Sequence, residues 1–428
     1  MRRLAQAEQV PEELQTELAL GMIQAHLQLQ EQILHWLQHG VTTPIDTAVQ
    51  PEPAPAPPPS AMKQPIASGP ALSEFLPNFI DLMQSTDGWT GQTLAQNRAS
   101  YRMFIEICGD RPVQSYTRRD TAAFYDVVRK LPKLYSKARA WRALSLAEIV
   151  NSTEGAEVER IQMKTLKRHF SALGRLFAHL KERGEYDGEN PAHGFEFPGT
   201  KGKANQKRDM WQGVKLTRLF SSPVWTGCKS ASRRSLPGKL IIKDEKYWLP
   251  LLGLYHGNRL EEFAQLRRED IKEEDGLWFF DINDEGDKQL KNEQSKRQVP
   301  LHPEVRALGF LDYVREVAPS DGDLVFPGLR PSGPDNKLGY LFTKWWSRYR
   351  RGIGLYEKGL DYHSFRHGVS TKLYAAHVPD AYVDVLTGHE GQGIGRKVYL
   401  KGLPLNELYA AICKVEWPEV ELKGDEND

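Results

Sequence analysis

His363-Ser364-Phe365-Arg366-His367, followed by Leu386-Thr387-Gly388-His389 and then by Tyr399, is the stretch on which the reading of this chain turns. Upstream of it stands Tyr255-His256-Gly257-Asn258-Arg259-Leu260-Glu261-Glu262. Arg259 and Arg366, His363 and His389, and Tyr399 form an ordered set suited to chemistry at a phosphodiester. Guanidinium forks match pairs of phosphate oxygens, and imidazoles move protons near neutral pH. A tyrosine hydroxyl can attack phosphorus when cations surround it. Each residue alone has a plainer reading. Arg259 and Glu262, three apart on one helix face, read better, taken alone, as a surface ion pair. A lone tyrosine, with an ordinary pKa of about 10, is usually a packing residue. Only the ordered set gives the phosphodiester reading weight.

The spacing of His363 and His367 is that of a helical zinc pair, but position 364 is Ser where a His-Glu-x-x-His site needs Glu. No third ligand follows, so no metal is expected. Between the two halves of the set lies Lys288-Gln289-Leu290-Lys291-Asn292-Glu293-Gln294-Ser295-Lys296-Arg297-Gln298-Val299-Pro300-Leu301. Leu277 to Ile282 and Arg297 to Leu301 are β-prone, which makes the lysine-rich stretch a hairpin loop. A lysine at its tip can reach a DNA minor groove and protonate a leaving oxygen; a solvated turn is the plainer alternative.

The 428 residues allow two or three domains. The net charge of +1 conceals an uneven distribution. Residues 96–208 carry 22 Lys/Arg and 13 Asp/Glu, a net +9. Residues 1–70 carry a net −4, and Val415 to Asp428 a net −5. A basic middle between acidic ends suits a polyanion. Cys108, Cys228 and Cys413 are far apart and show no metal or disulfide spacing, so a reducing compartment is expected. No signal peptide follows Arg2 and Arg3, and no segment reaches the ~18 apolar residues of a membrane span. A cytoplasmic protein without a membrane partner is the expectation.

The pattern divides the chain into an N-terminal helical arm at 1–40, with Leu14, Leu18, Ile23, Leu27, Leu34 and Leu37 on a stripe. A proline-rich linker at 41–70 follows, because consecutive prolines remove backbone donors. Helical periodicity at 71–198 predicts helices from about Leu72 to Met83, Leu94 to Cys108, Thr117 to Arg129 and Thr165 to Arg183. The last has Phe170, Leu173, Leu176, Phe177 and Leu180 on one side and Lys164, Lys167, Arg168 and Arg175 on the other. A basic linker at 199–209 carries Lys201, Lys203, Lys207 and Arg208, suited to crossing a DNA backbone. From 210 to 415 helices alternate with the two short strands, among them Lys246 to Leu254, Arg259 to Leu266 and a terminal helix at Asn406 to Val415. An acidic tail occupies 416–428.

These motifs resemble those of the tyrosine recombinases, or phage-type integrases, specifically over about 245–402 and more loosely over 71–195. The resemblance implies a mainly α protein with a small β-sheet in the catalytic domain. A helical core-binding domain and a mixed α/β catalytic domain would form a clamp on DNA. Carried over by position, Arg259, Lys291, His363, Arg366 and His389 are the catalytic residues, Tyr399 is the nucleophile and Glu262 a supporting acid. Lys291 is chosen by its spacing to Arg297 and Val299-Pro300-Leu301. Asn258 departs from the family, which usually has a small or apolar residue there.

The resemblance further implies site-specific recombination, in integration or excision. It would run through a 3′-phosphotyrosyl intermediate, with no cofactor, on double-stranded DNA, by a homotetramer on paired sites. An accessory DNA-bending protein is left open. DNA-binding positions are Lys164, Lys167, Arg168, Lys201, Lys203, Lys207 and Arg208. The alternatives are a type IB topoisomerase-like relaxing enzyme and a catalytically silent DNA-binding regulator.

Overall fold

The computed structural model describes residues 69–199, 209–290, 295–389 and 403–422. The arm at 1–40, nearly all of the proline-rich linker, Lys201, Lys203, Lys207 and Arg208, and both Lys291 and Tyr399 lie outside the described residues.

Apolar side chains at helical spacing build the first core. It consists of α1 (Leu72–Thr86), α2 (Gly91–Cys108), α3 (Arg118–Lys130), α4 (Leu146–Ser152) and α5 (Met163–Glu182). α5 buries Leu166, Phe170, Leu173, Leu176, Phe177 and Leu180 and leaves Lys164, Lys167 and Arg168 exposed, as its two-sided pattern predicts. Phe104 of α2 stands edge-on to Phe124 of α3 and Phe177 of α5, at 5.6 and 6.1 Å between centroids. Capping boxes start two of the helices. Asp120 accepts from Thr117 N at 2.7 Å, and Glu148 accepts from Ser145 N at 2.7 Å. The sequence reading missed α4 because seven residues are too few to display a stripe. Its one legible signal is the Ser145-x-x-Glu148 spacing.

The second core runs from Trp211 to Trp417. Its helices are α6 (Gly213–Phe220), α7 (Pro223–Thr226), α8 (Glu245–His256) and α9 (Leu260–Ala264). Then come β1 (Ile271–Glu274), β2 (Leu277–Ile282), β3 (Arg297–Pro300), α10 (Pro303–Ala307) and α11 (Phe310–Val317). The rest are α12 (Gly339–Gly352), α13 (His363–Ala375), α14 (Asp380–Thr387) and α15 (Leu405–Ile412). The described chain is therefore mainly α with one small sheet, as expected. That sheet is antiparallel in the order β1-β2-β3, with Ile271 opposite Phe280 and Phe280 opposite Val299. β1 was not foreseen: only Ile271 of its four residues is buried, so it shows no alternation. α14 read merely as an apolar stretch.

α8 is buried on every side from Tyr247 to His256, and α13 packs along it. It ends at Gly257 in the left-handed region, φ 70°. The helix expected over Arg259 to Leu266 is shorter. Arg259 is its extended N-cap, and Glu262 folds back to accept from Arg259 N at 3.0 Å. α15 buries Leu405, Leu408, Ala411 and Ile412 against strands of its own chain. The core then continues two residues past the expected boundary at 415. Trp417 is buried, donates Nε1 to Leu254 O at 3.0 Å and lies against Gly368, where a Cβ would sit 2.9 Å from its ring. Lys372 covers the ring at 4.8 Å. The two cores touch where Asp335 accepts from Gln92 N at the start of α2, at 2.6 Å. No described helix is long and apolar enough to cross a membrane.

We predict that Trp417→Ala destabilises the second core by about 3–5 kcal/mol, the usual loss for a buried tryptophan. Urea unfolding followed by near-UV circular dichroism measures it. A loss below about 1 kcal/mol would mean that the chain beyond Val415 behaves as a tail.

Candidate active site

Glu262 is the side chain around which the site is assembled. It is 4 % exposed and sits in the first turn of α9, opposite two guanidinium groups. Arg259 Nη1 donates to Glu262 Oε1 at 2.7 Å, and Arg297 Nη2 donates to Oε2 at 2.8 Å. Burial alone would push this carboxyl up. The charges of Arg297 and then Arg259 outweigh burial and hold it at about 2. The surface ion-pair reading of Arg259 and Glu262 is thereby replaced by a buried one.

Arg259 ties three segments together. Its Nη1 also reaches Ser295 Oγ at 3.3 Å, and its Nη2 donates to Gly388 O at 2.9 Å. Arg297, which the sequence reading used only as a spacing marker, is 4 % exposed and donates Nη1 to Ser295 O at 2.6 Å. Gly388 ends α14 with φ 64°, and a Cβ there would lie 2.7 Å from the Arg297 guanidinium carbon. Backbone conformation and side-chain space thus both demand glycine. Asn258 is buried beside it. With its amide turned to satisfy both neighbours, it donates to His256 O at 3.3 Å and accepts from Arg297 Nη2 at 3.2 Å. A polar residue before Arg259 therefore serves the Arg297 contact.

α13 supplies the second half. His363 begins the helix, Arg366 lies one turn on, and the rings of His363 and His367 meet edge to face at 5.3 Å. Arg366 is 2 % exposed. Its Nε donates to His389 Nε2 at 3.2 Å and its Nη1 to Gly257 O at 3.3 Å, while Nη2 is buried with no hydrogen-bond partner among the described residues. Burial, then the charges of Arg259 and Arg297, lower this guanidinium to about 9. His389 is held at about 4 by desolvation and by the charges of Arg366, Arg259 and the two other histidines. Two guanidinium groups share one carboxylate, and a third, that of Arg366, keeps an unused buried donor. Such an arrangement favours an incoming oxyanion.

The structure thus brings Arg259, Glu262, Arg366 and His389 together and adds Arg297. His363 lies one turn before Arg366 on the same helix. Of the hairpin lysines, Lys288 is not at a tip: its Nζ bonds Asp270 at 2.5 Å, with the two side chains 5 % and 2 % exposed. Lys296 pairs with Asp284 at 2.9 Å. Lys164, Lys167 and Arg168 are far from this pocket in sequence and lie on the exposed face of α5. Arg175, on the same helix, is instead paired with Asp87. Arg168 joins Lys133, Lys137 and Lys358 in lining a cleft of about 770 Å³ where the two cores approach. Among the described residues no group of side chains has the makings of a metal site.

Comparison with solved structures finds similar chains at low identity. A lambda integrase tetramer bound to a Holliday junction is 17 % identical, with 76 % of this chain and 79 % of that chain covered and a TM-score of 0.47. XerH recombinase bound to a palindromic difH substrate, in a post-cleavage complex, is 18 % identical, covering 74 % and 78 %, at a TM-score of 0.45. The Tn1549 transposon integrase in complex with circular intermediate DNA is 12 % identical, covering 80 % and 99 %, at 0.48. No curated protein matches the chain. The sequence signature of the phage integrase family matches residues 242–402, the segment that holds Arg259, Glu262, Arg297, Arg366 and His389. Over that segment the chain is similar to the phage integrase family.

Proposed function

We propose that this protein carries out site-specific DNA recombination by two transesterifications through a 3′-phosphotyrosyl intermediate. The observation that carries the reading is the cluster of Arg259, Arg297 and Arg366 around one buried carboxylate, with Arg366 Nη2 left for an anion. The pocket is built for a group with several negative oxygens, and preorganised donors of this kind are the largest single contribution in many such reactions. In the first step the Tyr399 oxygen forms a bond to phosphorus, and the bond from phosphorus to the 5′-oxygen breaks. The phenolic proton passes to His363, and Lys291 gives a proton to the departing 5′-oxygen. Arg259 and Arg366 bind the non-bridging oxygens, and His389 steadies one of them. In the second step the 5′-hydroxyl of another strand attacks the phosphotyrosine and releases Tyr399. The protein–DNA bond conserves the phosphodiester linkage, so no nucleotide is consumed.

Lys291 is favoured over its neighbours because Lys288 and Lys296 are committed to Asp270 and Asp284. Two duplexes with two cleaved strands each require four protomers, so the working form is a homotetramer on double-stranded DNA. The basic cleft lined by Lys133, Lys137, Arg168 and Lys358 supplies a backbone contact, and Lys164 and Lys167 extend it along α5. Lys201, Lys203, Lys207 and Arg208 add charge in the segment between the cores.

Tyr399→Phe is expected to bind DNA normally and to give no covalent adduct on a denaturing gel; adducts at wild-type yield would falsify the assignment. Lys291→Ala is expected to cleave about 10²–10⁴-fold more slowly. A substrate with a bridging 5′-sulfur, whose leaving group needs no proton, restores much of that rate. Rescue of Lys288→Ala in its place would move the acid to that residue. Neutralising Lys164, Lys167 and Arg168 together is expected to reduce the salt dependence of DNA affinity by about 3 in log–log slope. An unchanged slope removes that face of α5 from the DNA.

A further inference from the structure

Thr387 is completely buried and sits two residues before His389. Its hydroxyl donates to Val383 O, one turn back along α14, at 2.6 Å. The same oxygen lies 2.8 Å from His389 Nδ1. A hydroxyl has one proton to give, and here it is given to Val383 O. The contact to Nδ1 must then run the other way, with the ring N–H donating to the threonine oxygen. The other face of the imidazole agrees. Arg366 Nε, which is always a donor, points at His389 Nε2 at 3.2 Å, so Nε2 carries a lone pair. The two contacts specify one neutral tautomer.

That tautomer has a consequence for the reaction. A ring nitrogen bearing a lone pair repels a phosphate oxygen, and in this state Nε2 is the nitrogen that faces Arg366. We propose that Thr387 is a positioning residue that locks His389 as its Nδ1–H form, so that His389 becomes a phosphate donor only by taking up one proton at Nε2. The inference rests on reading the arginine pocket as a phosphate site. In the exchange, the Arg366 Nε–H turns from Nε2 to a phosphate oxygen, one proton taken up from bulk solution fills the vacated lone pair, and the bond from Nδ1–H to Thr387 stays in place.

The groups around the ring set the direction. Arg366, His363 and His367 approach from α13 and Arg259 from the start of α9, and burial and all of these charges disfavour a positive charge on the ring. Glu262 and Asp384 favour the charge on Arg366 instead, and Glu262 is consumed by its two arginines. An anion in the pocket reverses the balance. Without it His389 stays neutral and holds Arg366 in reserve; with it the imidazolium forms and the contact becomes charge-assisted. Engagement of the phosphate is therefore coupled to uptake of a proton at one defined atom.

The test uses the whole protein labelled with ¹⁵N-histidine and sulfate as the probe anion, because sulfate does not itself titrate near neutral pH. His389→Gln identifies the His389 signals. At pH 7 without sulfate, Nδ1 is expected to show the shift of a protonated ring nitrogen and Nε2 that of an unprotonated one. Sulfate should protonate Nε2, and its affinity should fall about tenfold per pH unit above the His389 midpoint, as one linked proton requires. Thr387→Val leaves Nδ1–H without an acceptor. With the Arg366 contact alone opposing it, the proton is then expected to be shared between Nδ1 and Nε2 before sulfate is added, and the pH dependence should flatten, while Thr387→Ser retains the wild-type pattern. A protonated Nε2 in the anion-free wild-type protein overturns the proposal, and so does a wild-type pH slope in Thr387→Val. Sulfate binding without proton uptake defeats this inference alone. The absence of any sulfate response removes the phosphate pocket and the inference with it.

Discussion

A buried carboxylate shared by two guanidinium groups is the interaction on which the rest of this site depends. Glu262 is buried, which pushes its carboxyl up, and the charges of Arg297 and Arg259 keep it ionised. Its ionisation is what allows three arginines to occupy one small volume. Removing one partner of such a pair leaves an uncompensated buried charge, which is strongly destabilising. The carboxylate does more than balance charge. It caps α9 through Arg259 N and fixes the planes of two guanidinium forks, so their remaining donors are aimed before any ligand arrives.

The backbone has been shaped to this arrangement at two glycines. Gly257 lets α8 end where its carbonyl can receive Arg366, and Gly388 lets α14 end where its carbonyl can receive Arg259. Each of these carbonyls takes one arginine nitrogen and leaves others to face the pocket. Helix ends, with their unsatisfied carbonyls, are natural partners for cations. The two arginines are therefore held by main chain, which cannot swing away. The fully buried helix α8 anchors the whole, and the packing of Trp417 against Leu254 and Gly368 closes the core behind it.

Charge is divided between the two cores according to task. The second core concentrates its positive groups inward, where low dielectric strengthens them. The first core displays Lys164, Lys167 and Arg168 outward, where they act at longer range and are screened by salt. A chain with a net charge of +1 thus presents both a sharp anion pocket and a diffuse basic face. This division suits a long polyanion that must be held at many phosphates and activated at one.

Much of the site was legible in the sequence because its residues carry chemistry in ordered motifs. Arg259, Glu262, Arg366 and His389 could be picked out from spacing and type, and the long helices from their apolar stripes. The short elements α4 and β1 were not legible, since periodicity needs more residues than they contain. Arg297 was overlooked because nothing local marks a strand-end arginine as buried; its role comes from Glu262, 35 residues away. The duties of Lys288 and Thr387 were hidden for the same reason. One is set by Asp270 across a loop, the other by a helix carbonyl and a ring nitrogen that meet only at the end of α14. Sequence by itself determined which chemical groups are present and which segments form long helices, because those follow from residue type and local period. Tertiary structure alone decided which arginines share the carboxylate, which lysines are already paired and which imidazole nitrogen holds the proton, because partners and desolvation exist only once distant segments are packed together.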